Sequence, residues 1–239
     1  PWGVTSIGNR AFEGCTAVTS IEVAPLNEVY SSEDGVLFNE ARTILLKYPA
    51  GRQGDYTIPN SVTDIKTYAF DECSGLTAVT FGINVTDIYE FAFMNCSALT
   101  SVTNYAGTPQ TITANTFCGT NLSLCTLNVP QTVINTYKSA DIWKTFGTIV
   151  GITSGECGAD GNNLTWMIKD STLLITGSGA MANWNSTNVP WAAHRAEISK
   201  ISLPNGITTI GDYAFYQFTA MDAVTIPQGV TSIGYSAFS

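Results

Sequence analysis

The stretch VTDIKTYAFDECSGLTAVTF, from Val62 to Phe81, is answered by VTDIYEFAFMNCSALTSVTN, from Val85 to Asn104. A step of 23 residues superimposes them, pairing Ile65 with Ile88, Phe70 with Phe93, Cys73 with Cys96, Leu76 with Leu99 and Val79 with Val102. The same step relates Ile207 to Val230, Ile210 to Ile233 and Phe215 to Phe238. The segment from Val4 carries the pattern again in Ile7, Phe12, Cys15, Val18 and Ile21. Coincidence of residue type at one fixed step marks an internal repeat. A single such unit cannot bury its own apolar face, so the units must stack into one continuous core.

Read from Leu76, a unit runs Leu-x-x-Val-x-Phe, which fits the leucine-rich pattern L-x-x-L-x-L with its period of 20–29 residues. The alternation is that of a short strand, with Val79 and Phe81 turned inward and their neighbours outward. The expected fold is therefore an α/β leucine-rich-repeat solenoid of 23-residue units. Its parallel strands form the concave side, and short helical turns at the Ala-Phe steps form the convex side. Cys15, Cys73 and Cys96 occupy one place in three units and should form a column of small buried thiols. Cys118 and Cys125 fall in an irregular unit, where a disulfide and two free thiols both stay open.

The repeat is broken at three places. Extra chain lies between the first two units, and its VYSSEDGVLFNEARTILLKYP phrase reads as a β-hairpin insert over about 26–58. Beyond Leu99 the pattern loosens. The segment from Pro130 to Gly151 has helical periodicity through Tyr137, Trp143 and Phe146, and reads as a helical C-terminal cap (about 130–151) closing a first array over 1–151. The Gly-rich run 152–163 reads as a linker. Residues 164–239 then open with a β-hairpin cap turning at Lys169-Asp170-Ser171-Thr172, after which a second array begins.

Composition narrows the function. Only 12% of residues are charged and the formal net charge is −9, against both nucleic acid and anionic lipid, whose recognition needs clustered Lys and Arg. No apolar run approaches the ~20 residues of a membrane span, so no membrane insertion is expected. There is no CxxC pair, and His194 is the single histidine, so no metal site or cofactor is expected. Glu33, Asp34 and Glu40 do not have calcium-loop spacing. His194 has no nucleophile motif beside it, and paired carboxylates cannot be picked out, so the chain does not read as an enzyme.

The phrases VTSIGNRAFEGC at Val4, YTIPNSVTDI at Tyr56, ITTIGDYAF at Ile207 and VTIPQGVTSIGYSAF at Val224 resemble the BspA-like (Treponema pallidum-type) leucine-rich repeat proteins. The insert, the VP…YKSADIWKTFGTIVGI closure and the CG…LTW…LLITGSGAM…PW opening are similar to that family's recurrent pieces. The resemblance implies an extracellular or cell-surface protein of host-associated microbes, working in adhesion. The sequence departs from it where most units lack the asparagine of other leucine-rich repeats, Asn84 excepted. It also starts without an opening cap and stops inside a unit at Ser239, as a fragment of a longer protein would.

Stacked parallel strands should set their outward residues side by side as a binding face for a protein ligand, a host matrix or other microbial surface protein. In the first array these are Ser20 and Glu22, Ala78 and Thr80, Ser101 and Thr103, and Thr126 and Asn128, with Tyr105 beside them as an aromatic anchor. In the second they are Lys200 and Ser202, then Ala223 and Thr225. A glycan stacked on Trp184 and Trp191 is the alternative, and a spacer without a ligand is the third reading.

Overall fold

The computed structural model describes residues 3–59, 61–82, 84–169 and 171–239. They form two compact units, Pro1–Gly151 and Ile152–Ser239. In the first, β1 (Tyr30–Glu33) and β2 (Val36–Asn39) make an antiparallel hairpin. Its turn passes through Asp34 and Gly35, both at left-handed φ (48° and 71°), a conformation that glycine adopts without steric cost. Next come β3 (Ile44–Lys47) and β4 (Gly54–Thr57), then β5 (Asp64–Ile65), β6 (Leu76–Phe81), β7 (Asp87–Ile88), β8 (Ser101–Asn104) and β9 (Thr126–Pro130).

Two sheets run along this stack. In one, β4, β6, β8 and β9 lie parallel in that order; in the other, β3, β5 and β7 do the same, with the β1–β2 hairpin joined at β3. Val79, Phe81, Val102, Leu127 and Ile65 are buried in the core of this unit. This is the expected solenoid, with one change at the Ala-Phe steps. They are tight turns and not helices. Each holds two left-handed residues four apart: Tyr68 and Glu72 (φ 62° and 61°), then Phe91 and Asn95 (59° and 56°). Left-handed residues at that spacing cannot continue a right-handed helix. They let each turn bond flat onto the next instead: Phe70 N–H donates to Ala92 O at 2.7 Å, and Phe93 N–H to Thr116 O at 2.9 Å.

The insert also differs from its sequence reading. Its hairpin is present, but residues from Ile44 onward already belong to the stack. Tyr48 N–H donates to Ala69 O at 2.8 Å, as Phe70 does to Ala92, and the Tyr48 ring lies 5.0 Å from that of Phe70. The insert therefore supplies an abbreviated coil, and β4 is the sheet strand of the next one.

After Leu99 the chain leaves the strict repeat, and Asn104 stands in register with Phe81 at a core position. This fully buried amide is satisfied by Gln110, whose Oε1 accepts from Asn104 Nδ2 at 2.8 Å. The closing cap contains one short helix, α1 (Ile134–Ser139), flanked by single 3-10 turns at Gln131–Val133 and Trp143–Thr145. Tyr137 and Trp143 are fully buried, and their polar tips donate to Ala106 O (3.1 Å) and Gln110 O (2.8 Å).

The glycine-rich segment 152–163 is not a linker. β10 (Thr148–Gly158) and β11 (Gly161–Lys169) pair antiparallel as a hairpin across most of it. Its glycines serve close approach: a Cβ on Gly155 would stand 2.8 Å from Trp166 Nε1. β12 (Thr172–Gly177) continues the sheet antiparallel to β11, the expected turn between them including Asp170, which lies outside the described residues. β13 (Gly179–Ala180) follows, then β14 (Lys200–Ser202), which pairs parallel with β12. β15 (Ile207–Ile210) and β16 (Ser232–Ile233) form a second parallel sheet with β13. The core of this unit is built on Trp191, which is fully buried and stacked on Phe215 at 5.9 Å.

Because Glu156 sits inside paired strand, a glutamate-specific protease acting on native protein should cut after Glu13, in an exposed turn, well before it cuts after Glu156. Mass spectrometry of the first fragments reads the order, and early scission at Glu156 would restore the linker.

Candidate functional site

The sheet of β4, β6, β8 and β9 places its outward side chains in two rows across the strands. Asp55, Ala78, Ser101 and Thr126 stand in register, and so do Thr57, Thr80, Thr103 and Asn128. Neighbouring strands lie about 4.8 Å apart, so each row is a ladder of small side chains, mostly hydroxyl-bearing. Asp55 and Thr57 are exposed; Ala78, Thr80, Ser101 and Thr126 are half-buried. Asp55 Oδ1 accepts from Thr77 Oγ1 at 2.6 Å, which fixes the carboxylate at the β4 edge.

The far end of the face is closed. Thr103 and Asn128 are buried (5% and 7% exposed). Asn128 Nδ2 donates to Ser101 Oγ at 3.2 Å and lies 3.4 Å from both Val102 O and Thr103 Oγ1. These polar groups satisfy one another and are not offered to a ligand. Tyr105 is buried too, and desolvation pushes its phenol pKa up; its ring is not the surface anchor expected.

The other expected positions lie off this sheet. Ser20 and Glu22 are exposed and hydrogen-bonded to each other, but their segment is not a strand. The insert hairpin takes its main chain, Ile21 N–H donating to Gly35 O at 2.8 Å. Lys200 and Ser202 are exposed on β14, opposite Thr172 and Leu174 of β12 in the second unit. Ala223 and Thr225 are exposed outside any strand. The structure thus brings together the contributions of β6, β8 and β9 and adds Asp55 and Thr57, which the sequence reading had left inside the insert. The signal for them was the phrase YTIP, whose Tyr56 and Ile58 take the places of Val79 and Phe81.

The tryptophan alternative meets a direct obstacle. Trp191 is fully buried, and its Nε1 donates to Ala214 O at 2.6 Å. Trp166 and Trp184 pack edge-on against it at 5.6 and 5.4 Å. Trp191 is cap core, with no ring face left for a sugar; Trp184 is half-buried.

His194 pairs with Glu197, Nδ1 to Oε2 at 3.3 Å. Among the described residues no group of three His, Cys, Asp or Glu could hold a metal ion, and no helix is long and apolar enough to cross a membrane. All six cysteines are free, Cys118 and Cys125 included. Cys73 and Cys96 are buried in the core at equivalent places, while Cys15 is half-buried.

Repeated coils, two parallel sheets and a ladder of small polar side chains define a leucine-rich repeat solenoid. The family model described as the BspA type leucine rich repeat region matches six copies in this chain, over residues 1–40, 52–142 and 192–239. The chain belongs to that family. Among solved structures it is similar to a leucine-rich repeat protein from Eubacterium ventriosum (22% identity, 98% of this chain and 54% of that one, TM-score 0.34). It is also similar to a leucine rich cell surface protein from Faecalibacterium prausnitzii (23% identity, 99% of this chain and 46% of that one, TM-score 0.44). A third, the pneumococcal vaccine antigen PcpA, is 15% identical over 56% of this chain and 50% of that one, with a TM-score of 0.31. The chain spans about half the length of each of these structures. No curated protein matches it.

Burial lifts the Cys73 and Cys157 thiols from the ordinary value near 9 to about 12 and raises those of Cys96 and Cys125 as well. At pH 8 iodoacetamide should therefore label exposed Cys118 first, and these four only on unfolding, as peptide mass spectrometry would show. The unfolded chain ionises near pH 9 while the folded core holds its protons to about pH 12. The stability these thiols contribute is fully present below pH 9 and declines as pH rises through that window. Rapid native labelling of Cys73 would contradict the packing.

Proposed function

We propose that this protein is a non-catalytic binding and adhesion protein of the cell surface or the extracellular space, presenting the β4–β6–β8–β9 face to a protein ligand. The observation that carries the reading is the register of that face. Asp55, Thr57, Ala78, Thr80, Ser101 and Thr126 form an accessible surface of short side chains on a rigid backbone. Short side chains lose little rotamer freedom when a partner covers them, so many modest contacts add without a large ordering cost. The net charge of −9 and the exposed carboxylate of Asp55 favour a polar or basic protein surface and disfavour nucleic acid.

Membership of the BspA-type repeat family supports this reading. A host matrix protein or another microbial surface protein is the partner class favoured over a glycan on the tryptophan cap, since Trp191 is in the core.

The double variant Thr57→Arg/Thr80→Arg tests the face, because the two residues are neighbours across β4 and β6 and neither is buried. Thr103 is unsuitable, since a charge there would enter a closed site. Retention on immobilised collagen, laminin and fibronectin, measured by surface plasmon resonance, should weaken at least about tenfold for any that binds wild type, which is about 1.4 kcal/mol. A folded double variant that binds as wild type does would remove this face from the account.

A further inference from the structure

One open cavity, of about 340 Å³, lies between the first repeat's turn and Asp71. The Lys47 ammonium in its wall is already held by Tyr68 O (3.0 Å) and Asp71 O (3.1 Å). A second, of about 230 Å³, lies farther along the stack at the edge of β7, and its polar groups are less engaged. It is smaller than the roughly 300–1,000 Å³ of small-molecule sites, which suits one side chain of a partner better than a whole small molecule.

The second pocket exists because the repeat slips there. Ile112 and Phe117 arrive one residue late. The turns keep their bonds across the slip, Phe91 N–H donating to Asn115 O (3.1 Å) and Phe93 N–H to Thr116 O (2.9 Å). The strand side does not. Leu45 O accepts from Lys66 N–H, and Ile65 O from Tyr89 N–H, both at 3.0 Å. The next bond of that series would run from Thr113 N–H to Ile88 O. Thr113 N–H turns instead to Thr116 Oγ1 at 3.4 Å, and no hydrogen bond to Ile88 O is made among the described residues. β7 is accordingly the last strand of its sheet, and Ile88, whose side chain is in the core, lines the pocket. A strand-edge carbonyl without its donor is an acceptor open to a ligand N–H.

The side chains around it are aromatic and anionic. Tyr89 leans back over the preceding coil, its hydroxyl donating to Asp64 Oδ1 at 3.3 Å. Lys66 Nζ lies 4.1 Å from the Tyr89 ring centroid and 3.3 Å from the same Asp64 oxygen. One side of this ring therefore already holds a lysine ammonium between an aromatic face and a carboxylate. The pocket lies on the other side, toward Thr111 and Thr113, and Lys66 is not in its wall. Asp87, in register with Asp64, and Glu90 line it there. Both are exposed, and neither has an ion-pair partner among the described residues. Asp87 accepts from Thr86 Oγ1 at 2.8 Å, and Glu90 from Thr113 Oγ1 and Asn115 Nδ2, both at 3.4 Å.

We propose that this pocket takes a lysine side chain of a partner protein. Its ammonium, with three N–H donors, bonds to the Asp87 and Glu90 carboxylates and to Ile88 O, and its stem lies along the free face of Tyr89. The arrangement repeats, one coil on, what Asp64 and Tyr89 do for Lys66. The site is on the other sheet from the β4–β9 face and does not depend on what that face binds.

Nα-acetyl-lysine N-methylamide, titrated into the isotope-labelled 239-residue chain, tests the site by two-dimensional NMR. Saturable shifts are expected at the amides of Tyr89, Glu90, Thr111 and Thr113. The analogue acetylated at Nε as well has lost the charge and should give none. Asp87→Asn/Glu90→Gln, at two exposed positions, should weaken binding at least about fivefold. Thr113→Lys sets a lysine of the chain's own on the free side of Tyr89 and should abolish the shifts. Absence of shifts at these amides, equal shifts from the charge-free analogue, undiminished binding to Asp87→Asn/Glu90→Gln, or shifts that persist in Thr113→Lys would each overturn the proposal.

Discussion

In residues 1–151 an aromatic ring lies on the ring of the neighbouring coil, beside a backbone hydrogen bond between the same two turns. Tyr48, Phe70, Phe93 and Phe117 form one column, with centroid separations of 5.0, 4.6 and 5.2 Å and interplanar angles of 24° or less. These separations are close to the spacing of strands in a sheet, about 4.8 Å. The turn side and the sheet side of each coil therefore advance by nearly the same pitch, and the coils can stack without strain on either side. In the second unit Trp191, Phe215 and Phe238 form the corresponding column at 5.9 and 5.2 Å.

The pitch has two consequences for function. Where it is kept, β4 to β9 stay in register and their small outward side chains become one continuous surface. Where it is interrupted, material is missing. Tyr48 begins the column and leaves the first turn unstacked, and the cavity beside Asp71 lies at that break. At the other end Trp143 and Phe146 finish the column, 5.9 Å apart and nearly parallel, with Phe146 edge-on to Phe117 at 5.7 Å. Both the extended face and the open cavity thus follow from where the ring column runs and where it starts.

Much of this was legible in the sequence. The 23-residue step alone paired Ala78 with Ser101 and Thr80 with Thr103, and the structure keeps both pairs. Turn residues marked the hairpin, and helical periodicity marked the rings of the closing cap. Less legible was everything that depends on close approach or on what covers a strand. Gly155 and its neighbours read as flexible because glycine is common in linkers, yet here they admit a tryptophan ring against the backbone. Thr103 and Asn128 read as surface because their strand parity points outward, but parity does not reveal that they satisfy each other out of solvent. Tyr48 belongs to no 23-residue phrase, so its role as the first ring is visible only once Ala69 O is seen to accept from it. The left-handed pairs at Tyr68/Glu72 and Phe91/Asn95 gave no signal, because none is the glycine or asparagine usual there except Asn95.

The ring column is tested most directly by a double-mutant cycle on Phe70 and Phe93, using Phe70→Leu, Phe93→Leu and the pair in urea unfolding. Leucine keeps the apolar volume roughly constant and removes the stacked faces. The account predicts a coupling of about 0.5–1.5 kcal/mol, the value of an aromatic pair beyond its buried area. Strictly additive single-variant losses, with the double variant no more stable than their sum, would show that the rings only fill space and that the pitch is set elsewhere.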